Sequence, residues 1–244
     1  MTRVIVIDNL SYTYPGGGDA LTAVTLEIHQ GELVLLAGAN GSGKSTLLAH
    51  IAGLYAPTIG TLTIDGTDDP RTLARLVMQD ADLQILGGTV GEDLMLGREG
   101  ADEATARSTA ARLELLAHWD KPVQTLSWGM KRKLCLAAAL LDDPAVLLLD
   151  EPFSGLDYPS AREMRAFLAS SKAAGMTLVV TVHDLEPVID LADRMAVLDA
   201  GRLALFDLPE KTLPQVHRHG IRPPCSWRSG AGIGAWGYED LDLS

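Results

Sequence analysis

Short apolar runs bounded by glycine, proline and aspartate recur along the 244-residue chain, most densely at its beginning and again after residue 145. Alternating or continuous apolar residues over the length of a strand are typical of β-strands buried on one or both faces. The last two predicted strands flank an Asp-Ala-Gly turn and are therefore expected to form a hairpin. The pattern predicts strands at residues 4–7, 20–28, 33–37, 60–65, 146–150, 176–182, 195–198 and 202–206.

The middle of the chain has apolar positions spaced as in helices, from about residue 80 to residue 141. Good helix formers fill two segments of it, and Gly53 and Ser160 supply an end signal and an N-cap for two other helices. Buried strands that alternate with helices favour an α/β fold with a mostly parallel sheet. The spacing predicts helices at residues 45–54, 104–117, 131–141, 160–173 and 186–192.

This order of elements predicts one domain over residues 1–213, with a helical segment at about 80–142 inserted between the two halves of the sheet. Residues 214–244 contain Pro223-Pro224, several glycines and two tryptophans, Trp227 and Trp236, but no periodic pattern. We expect a C-terminal tail there that is either disordered or forms an interface with a partner.

A glycine-rich sequence lies between the apolar run at 33–37 and the helix predicted at 45–54. Residues 38–46 match GxxxxGK[ST] in the strand–loop–helix context that this phosphate-binding motif requires. Glycines let the loop aim backbone N–H groups at a phosphate chain, and the helix N-terminus adds partial positive charge. Lys44 is expected to reach the β- and γ-phosphates of ATP, and Ser45 to bind Mg²⁺. The predicted nucleotide-binding residues in this loop are Gly38, Asn40, Gly41, Ser42, Gly43, Lys44, Ser45 and Thr46.

Two acids, Asp150 and Glu151, directly follow the apolar run Val146-Leu147-Leu148-Leu149. α/β folds bind their ligands at the carboxyl ends of strands. Asp150 is therefore expected to hold Mg²⁺, directly or through water. Glu151 is expected to polarise the water that attacks ATP.

With both motifs present, the chain resembles the nucleotide-binding subunits of ABC transporters over nearly all of residues 3–210. The resemblance implies an α/β P-loop ATPase fold: a RecA-like core, an N-terminal antiparallel β subdomain and an inserted helical subdomain. It implies that Tyr14, or less strongly Tyr12, stacks on adenine. It also implies that Gln79 contacts Mg²⁺ and water and that His183 is the switch histidine at the γ-phosphate. Asp157, in Ser154-Gly155-Leu156-Asp157, resembles the aspartate of the D-loop.

Residues 126–130, Leu-Ser-Trp-Gly-Met, resemble the family's signature motif but depart from its usual LSGGQ sequence. Ser127 and Gly129 are retained, and they supply a hydroxyl and a backbone N–H at the start of a predicted helix. The family uses these groups on the ATP held by the opposite subunit. Trp128 and Met130 replace a glycine and the glutamine, and Met130 lacks the polar contacts of a glutamine. The retained pair lets the contact with the opposite ATP form, and the two replacements leave a weakened site, dependent on an intact motif across the dimer, as the alternative.

The stretch after Gln79 is similar to that of ATPases from energy-coupling-factor (ECF) transporters, which import vitamins and transition-metal ions. His183-Asp184-Leu185-Glu186 is also common in those ATPases. The resemblance implies two ATPase subunits, a transmembrane coupling subunit with basic coupling helices and a small substrate-binding membrane protein. Asp82, Glu92 and Asp93 are reasonable contacts for those helices, or merely solvated acids. The residues that fit the ECF pattern are Asp82, Gln84, Ile85, Leu86, Thr89, Val90, Glu92 and Asp93.

Composition restricts the partners and the cellular location that this chain is expected to have. The chain has 20 Lys and Arg against 32 Asp and Glu, a formal net charge of −12, which argues against binding along a nucleic-acid backbone. Two cysteines give no disulfide framework, and apolar stretches fall far short of the roughly 20 residues of a membrane span. With the resemblance, we expect a peripheral protein on the cytoplasmic face of the cell membrane.

Three other functions stay open at this point: a soluble ABC ATPase that serves an assembly or repair process, a subunit that binds ATP without hydrolysing it, and the ATP-binding subunit of another class of ABC importer. The single cassette, the absence of a heptad run and the acidic balance argue against the first. Glu151 and His183 argue against the second, whereas the altered signature favours it weakly. The transported substrate (biotin, cobalt, nickel or another vitamin) and the choice between homodimer and heterodimer also stay open.

Overall fold

Two β-sheets and seven α-helices form the described residues, 2–97 and 102–236, of the computed structural model. The strands are β1 (Arg3–Thr13), β2 (Asp19–His29), β3 (Leu33–Ala37), β4 (Ile59–Ile64), β5 (Ala74–Val77), β6 (Val146–Leu149), β7 (Thr177–Val182), β8 (Arg194–Asp199) and β9 (Arg202–Asp207). The helices are α1 (Lys44–Ile51), α2 (Val90–Met95), α3 (Glu103–Arg112), α4 (Trp128–Leu140), α5 (Tyr158–Ala173), α6 (Pro209–Thr212) and α7 (Cys225–Arg228).

The larger sheet has six strands in the order β5-β6-β7-β3-β8-β9, and only β9 runs antiparallel to its neighbour. All residues of β3, β6 and β7 are buried, which explains their continuous apolar sequence. Their side chains alternate between two cores. Leu33 and Leu35 point into one, and Val34 and Leu36 into the other.

The smaller sheet, β2-β1-β4, is antiparallel. Its apolar face packs on α1 and on one side of the larger sheet in a single buried cluster that includes Ile5, Ile28, Leu48 and Ile64. The N-terminal β subdomain is therefore held to the helix that follows the glycine-rich loop.

A third buried cluster fills the helical part of the chain between β5 and β6. It joins residues of α2, α3 and α4, among them Leu94, Ala110 and Leu134. Helix α4 also sends Cys135 and Leu136 into the core of the larger sheet. Because it contributes to both clusters, α4 connects the helical part to the core.

Several elements differ from the sequence-based predictions. Strand β5 was missed because it has only four residues, Ala-Arg-Leu-Val, and one of them is charged. The helix predicted at 186–192 is only a short 3-10 turn, Ile189–Leu191. The Pro187 carbonyl accepts a hydrogen bond from Arg165 Nη1 of α5 in place of an intrahelical N–H. Asp157, not Ser160, is the N-cap of α5, and its Oδ1 accepts the backbone N–H of Ser160.

The C-terminal tail packs on its own chain as far as Trp236. Val216 and Ile221 are buried in the core of the larger sheet, and Trp227 packs against it. The backbone N–H of Cys225 donates to Glu186 Oε2 at 2.7 Å. The Trp236 ring lies 5.2 Å from that of Tyr158, the first residue of α5. Residues 237–244, and the prediction that covers them, lie outside the described residues.

Candidate nucleotide-binding site

Four neighbouring strands of the larger sheet bring the predicted site residues to one edge. Strands β5, β6, β7 and β3 are adjacent and parallel, so their carboxyl ends meet on the same side. This edge is where open α/β sheets bind their ligands. The residues that follow these strand ends are Gln79, Asp150 with Glu151, His183, and the loop that begins at Gly38.

Lys44 is buried inside the glycine-rich loop. Its Nζ donates to the carbonyl oxygens of Gly38 at 2.8 Å and Ala39 at 3.1 Å. Burial lowers the pKa of Lys44, while the charges of Glu151 and Asp150 act in the opposite direction. The ammonium group is thus held at the mouth of the loop, between its carbonyls and the two acids.

The loop from Gly38 to Gly43, including Asn40 and Gly41, has the shape of an anion cradle. Gly43 has a φ of +104°, and a Cβ there would lie 2.8 Å from the Ala20 carbonyl oxygen. Among the described residues, no side chain caps the N-terminus of α1, so the N–H groups of its first turn face the loop. The buried hydroxyl of Ser42 has no hydrogen-bond partner in the described chain. Free donors around a helix N-terminus fit a phosphate group.

An aromatic cluster lies beside the first turn of α1. The Tyr14 hydroxyl is 2.8 Å from Thr46 Oγ1, and the Tyr14 side chain is 41% exposed. Tyr12 instead stacks on Tyr55, with ring centroids 5.3 Å apart, and packs against His50. The Tyr14 ring also makes edge contacts with Tyr12 and Tyr55, and it is the more exposed of the two predicted tyrosines. Stacking of Tyr14 on adenine stays a prediction.

Thr181 of β7 joins the two acids that follow β6. Its hydroxyl donates to Asp150 Oδ1 at 2.6 Å and accepts the backbone N–H of Glu151 at 2.7 Å. Glu151 has a φ of +49°, in the left-handed region. His183 Nε2 reaches Glu151 Oε1 across the same strand pair. The two acids are thus oriented by the neighbouring strand.

The remaining predicted residues surround this centre. Gln79 Nε2 lies 3.4 Å from Ser154 Oγ, in the loop after Glu151. Asp157 is exposed, and its hydrogen bonds to the side chain and backbone of Ser160 lower its pKa. Ser45, near the start of α1, is also exposed. The hydroxyl of Ser45 and the carboxylate of Asp150 are oxygen ligands of the kind that Mg²⁺ prefers, so the donor set fits that ion.

Comparison with known proteins identifies the family to which this site belongs. A sequence profile described as "ABC transporter" matches residues 21–154. A profile of an AAA domain (putative AbiEii toxin, type IV toxin–antitoxin system) matches only residues 120–189. The cobalt import ATP-binding protein CbiO of Rhodobacter capsulatus is 38% identical, over 92% of this chain and 86% of its own.

The chain belongs to the ATP-binding proteins of ABC transporters. A further relative of this ABC ATPase is the energy-coupling factor transporter ATP-binding protein EcfA of Methanosphaera stadtmanae, 34% identical over 83% of this chain and 78% of its own. Among solved structures, cbiO1 of Clostridium perfringens, part of the complex cbiONQ, has a TM-score of 0.78 and 27% identity. That match covers 88% of this chain and 92% of that one.

These matches confirm the ABC ATPase fold and ATP hydrolysis as the activity of the family, and they confirm the resemblance to ECF ATPases. None of the helices among the described residues of this ABC ATPase is long and apolar enough to cross a membrane. The roles of individual site residues stay predictions.

The signature segment of the ABC ATPase begins helix α4. Ser127 is the N-cap, and its Oγ accepts the backbone N–H of Met130 at 3.3 Å. Met130 packs against the apolar cluster of the helical part. Trp128 is 40% exposed, and its ring nitrogen lies next to Gly155, 3.9 Å from the position that a Cβ atom would take on that residue. The two replacements thus contact their own chain, while Ser127 stays exposed.

Sequence reasoning missed three polar residues that support the site: His50, Arg132 and Thr181. His50 is one turn after Thr46 in α1 and bonds its carbonyl through Nδ1 at 2.8 Å, a spacing that was available from sequence. Thr181 lies inside an apolar strand, where a hydroxyl needs a partner when buried. Nothing in the sequence shows that this partner is Asp150.

Proposed function

We propose that the chain is the ATP-hydrolysing subunit of a membrane importer of the ECF type. Two observations support this. The larger sheet brings a phosphate-binding loop, two oriented acids, a glutamine and a histidine to one edge. The relatives named above include ATP-binding proteins of cobalt import and of energy-coupling factor transporters.

ATP would bind with its phosphates along the loop from Gly38 to Gly43. The N–H groups of the first turn of α1 and the free hydroxyl of Ser42 would donate to phosphate oxygens. Lys44 would exchange its bonds to the loop carbonyls for bonds to the β- and γ-phosphates. Tyr14 would turn its exposed ring to the adenine, which requires its hydroxyl to leave Thr46.

Ser45, Asp150 and Gln79 are the residues that would hold Mg²⁺. The ion, when bound, neutralises charge that develops on the phosphoryl group. Thr181 fixes the carboxylate of Asp150 by its hydrogen bond to Oδ1, which would leave the other oxygen to bind the ion. Glu151 would orient the attacking water, and His183, bonded to the same carboxylate, would hold it in place.

A second ATPase subunit would complete each site. The exposed Ser127, at the N-terminus of the 13-residue helix α4, would face the ATP of the partner subunit, together with the N–H of Gly129. Asp157 would lie at the same interface. Trp128 and Met130 contact their own chain, and Met130 adds no polar group to this contact.

The surface for the transmembrane coupling subunit would be the segment after Gln79. Leu83 and Leu86 are 69% and 77% exposed. Two exposed acids lie in the same segment: Glu92, and Asp82, which pairs with Lys131. Asp93 is not part of this surface, because it is buried and its Oδ1 accepts the N–H groups of Leu86 and Gly87. Exposed leucines next to acids suit a basic amphipathic helix.

Affinity purification from native membranes in mild detergent tests this proposal. The tagged wild-type chain, Leu86→Asp and, as control, Leu208→Asp are compared, since Leu208 is also exposed but lies after β9. We expect the wild type and Leu208→Asp to recover a transmembrane subunit and a small substrate-binding membrane protein. Leu86→Asp should lose both.

The small membrane protein recovered would identify the substrate class, with cobalt uptake the first to measure because of the cobalt import relative. Recovery of soluble partners alone, from membranes in which another ABC importer purifies intact, would contradict the importer and favour an assembly ATPase.

A further inference from the structure

Arg132 is a buried cation at the junction of the loops that surround the site. It lies in α4, five residues after Ser127, and its side chain is only 3% exposed. Buried arginines in proteins are normally paired with a carboxylate. In the described part of this chain no carboxylate pairs with Arg132, so its charge must be balanced in another way.

Three backbone carbonyls accept from the guanidinium group. Arg132 Nη1 donates to Pro152 O at 2.5 Å and to Ser154 O at 3.2 Å, and Nη2 donates to Gln79 O at 3.1 Å. The group also lies 5.6 Å from the centre of the Trp128 ring. The single guanidinium group of Arg132 therefore joins two loops that are about 70 residues apart in the sequence, the loop at Gln79 and the loop at 152–154.

The residues whose carbonyls bind Arg132 are themselves predicted catalytic residues or their neighbours in the chain. Gln79 is itself a predicted Mg²⁺ and water contact, and Pro152 directly follows Glu151. The side chains of the two loops also meet, through Gln79 Nε2 and Ser154 Oγ. The arginine reaches both loops from the helix that begins at Ser127, the residue predicted to face the ATP of the other subunit.

We propose that Arg132 is a positioning residue for ATP hydrolysis. It fixes the backbone of Gln79 and of the loop after Glu151 relative to the signature end of α4. The inference rests on the proposed function of Gln79 and Glu151. Arg132 touches neither the phosphate loop nor the predicted adenine contact, so it acts on the hydrolytic step and not on ATP binding.

Arginine suits this position better than lysine does. Its rigid fork presents five N–H donors in a plane and keeps its charge when buried, whereas a lysine ammonium is a compact point charge that bonds fewer carbonyls at this spacing. The ring of Trp128 covers the guanidinium, a contact that glycine at position 128 would not give.

Three variants of the full chain test the inference: Arg132→Met, Arg132→Lys and the control Arg75→Met. Arg75 is also partly buried and donates to two backbone carbonyls and a carboxylate, but it lies within β5, away from its carboxyl end. Steady-state ATP hydrolysis, affinity for a fluorescent ATP analogue and amide hydrogen exchange are measured for each.

We expect Arg132→Met to lower kcat by about 10- to 100-fold, because small displacements of positioned groups cost that much. KM and the affinity for the analogue should stay within about threefold of wild type, since interactions made only at the transition state change kcat alone. Arg132→Lys should recover part of kcat. Amides of residues 79–83 and 153–156 should exchange faster in Arg132→Met, while those of residues 44–51 stay protected.

Equal kcat in Arg132→Met and Arg75→Met, with unchanged exchange at both loops, would overturn the inference. So would a parallel loss of affinity and kcat in Arg132→Lys, which would indicate a general structural role. Should Arg132→Met not fold, the Arg132→Lys comparison decides by the same criteria. An inactive wild type would contradict the proposed function and, with it, the hydrolytic role of Arg132. An active wild type with unchanged kcat in Arg132→Met would contradict the role of Arg132 alone.

Discussion

His183 Nε2 lies 2.5 Å from Glu151 Oε1, so the side chains that follow two adjacent strands, β7 and β6, are directly bonded. The Glu151 side chain is 14% exposed and that of His183 is 41% exposed. The carboxylate is therefore held from the protein side, while the imidazole remains open to a phosphate group. In its proposed role, Glu151 would direct one carboxylate oxygen at a water molecule, and the contact of His183 with Oε1 restrains the orientation of that carboxylate.

The first prediction concerns Glu151. Glu151→Gln keeps the size and the hydrogen bond to His183 but removes the carboxylate that would polarise water. We expect ATP hydrolysis to fall by about 10²- to 10⁴-fold, with ATP affinity retained. Single-turnover hydrolysis and binding of a fluorescent ATP analogue measure the two effects. Glu186→Gln, at a nearby carboxylate that bonds the Cys225 amide, is the control and should keep wild-type turnover. Unchanged turnover in Glu151→Gln would show that Glu151 does not polarise the attacking water.

The second prediction separates Lys44 from Glu151. Lys44→Ala removes the buried ammonium that would bind the β- and γ-phosphates, so binding and hydrolysis should both weaken. The loss of a charge-assisted hydrogen bond should raise the dissociation constant for ATP by about 10- to 100-fold. Isothermal titration measures it. Lys211→Ala, on the exposed pair with Asp207, should bind ATP as the wild type does. Wild-type affinity in Lys44→Ala would mean that the phosphates bind elsewhere.

His50 predicts a pH dependence of stability. Burial lowers its pKa, an effect that the hydrogen bond to the Thr46 carbonyl opposes, so the folded chain holds it neutral where the unfolded chain takes up a proton. The part of the folding stability that depends on neutral His50 is fully present above the unfolded-state pKa of about 6.5. It is lost as the pH falls toward the lower pKa of His50 in the folded chain. In His50→Leu, the melting temperature should fall less steeply between about pH 7.5 and pH 5.5.

The slope of melting temperature against pH, not its absolute value, is the measurement, because the leucine also alters packing around Tyr12 and Tyr55. His217→Leu, at an exposed histidine, should leave the slope unchanged. Equal slopes in His50→Leu and the wild type would show that His50 is not the titrating group.

The two cysteines should differ sharply in reactivity. Cys135 is buried, and desolvation raises the pKa of its thiol to about 12, so almost no thiolate forms near neutral pH. Cys225 is exposed. A thiol reagent at about pH 8 should modify one cysteine in the native chain and two after denaturation. Cys225→Ser should show no rapid modification in the native state. Fast reaction of both thiols would contradict the packing of α4 on the larger sheet.

Much of the fold follows from local sequence pattern. The buried strands β3, β6 and β7 and the hairpin of β8 and β9 were predicted because apolar runs and a glycine turn define them locally. Strand β5 and the turn at Ile189–Leu191 were not, because their form depends on partners distant in sequence. Arg165, for example, bonds the Pro187 carbonyl from α5.

The candidate site divides in the same way. Lys44, Asp150 and Glu151 stand in contiguous motifs with a recognisable chemical logic. The residues that orient them do not: Thr181 and Arg132 are single polar residues within an apolar strand and a helix. Their partners are backbone groups and carboxylates that only the sheet order brings near. Sequence pattern therefore predicts candidate reacting groups but not the groups that hold them.

The backbone of Glu151 implies a conflict between stability and activity. A non-glycine residue in the left-handed region costs of order 1–3 kcal/mol, and here the bond from its N–H to Thr181 helps to hold it. Glycine would adopt this conformation at lower cost. Glu151→Gly is thus expected to give an equally or more stable chain without hydrolytic activity. With the role proposed for Glu151, selection for thermal stability alone would remove the glutamate from this position, and the requirement for ATP turnover would retain it.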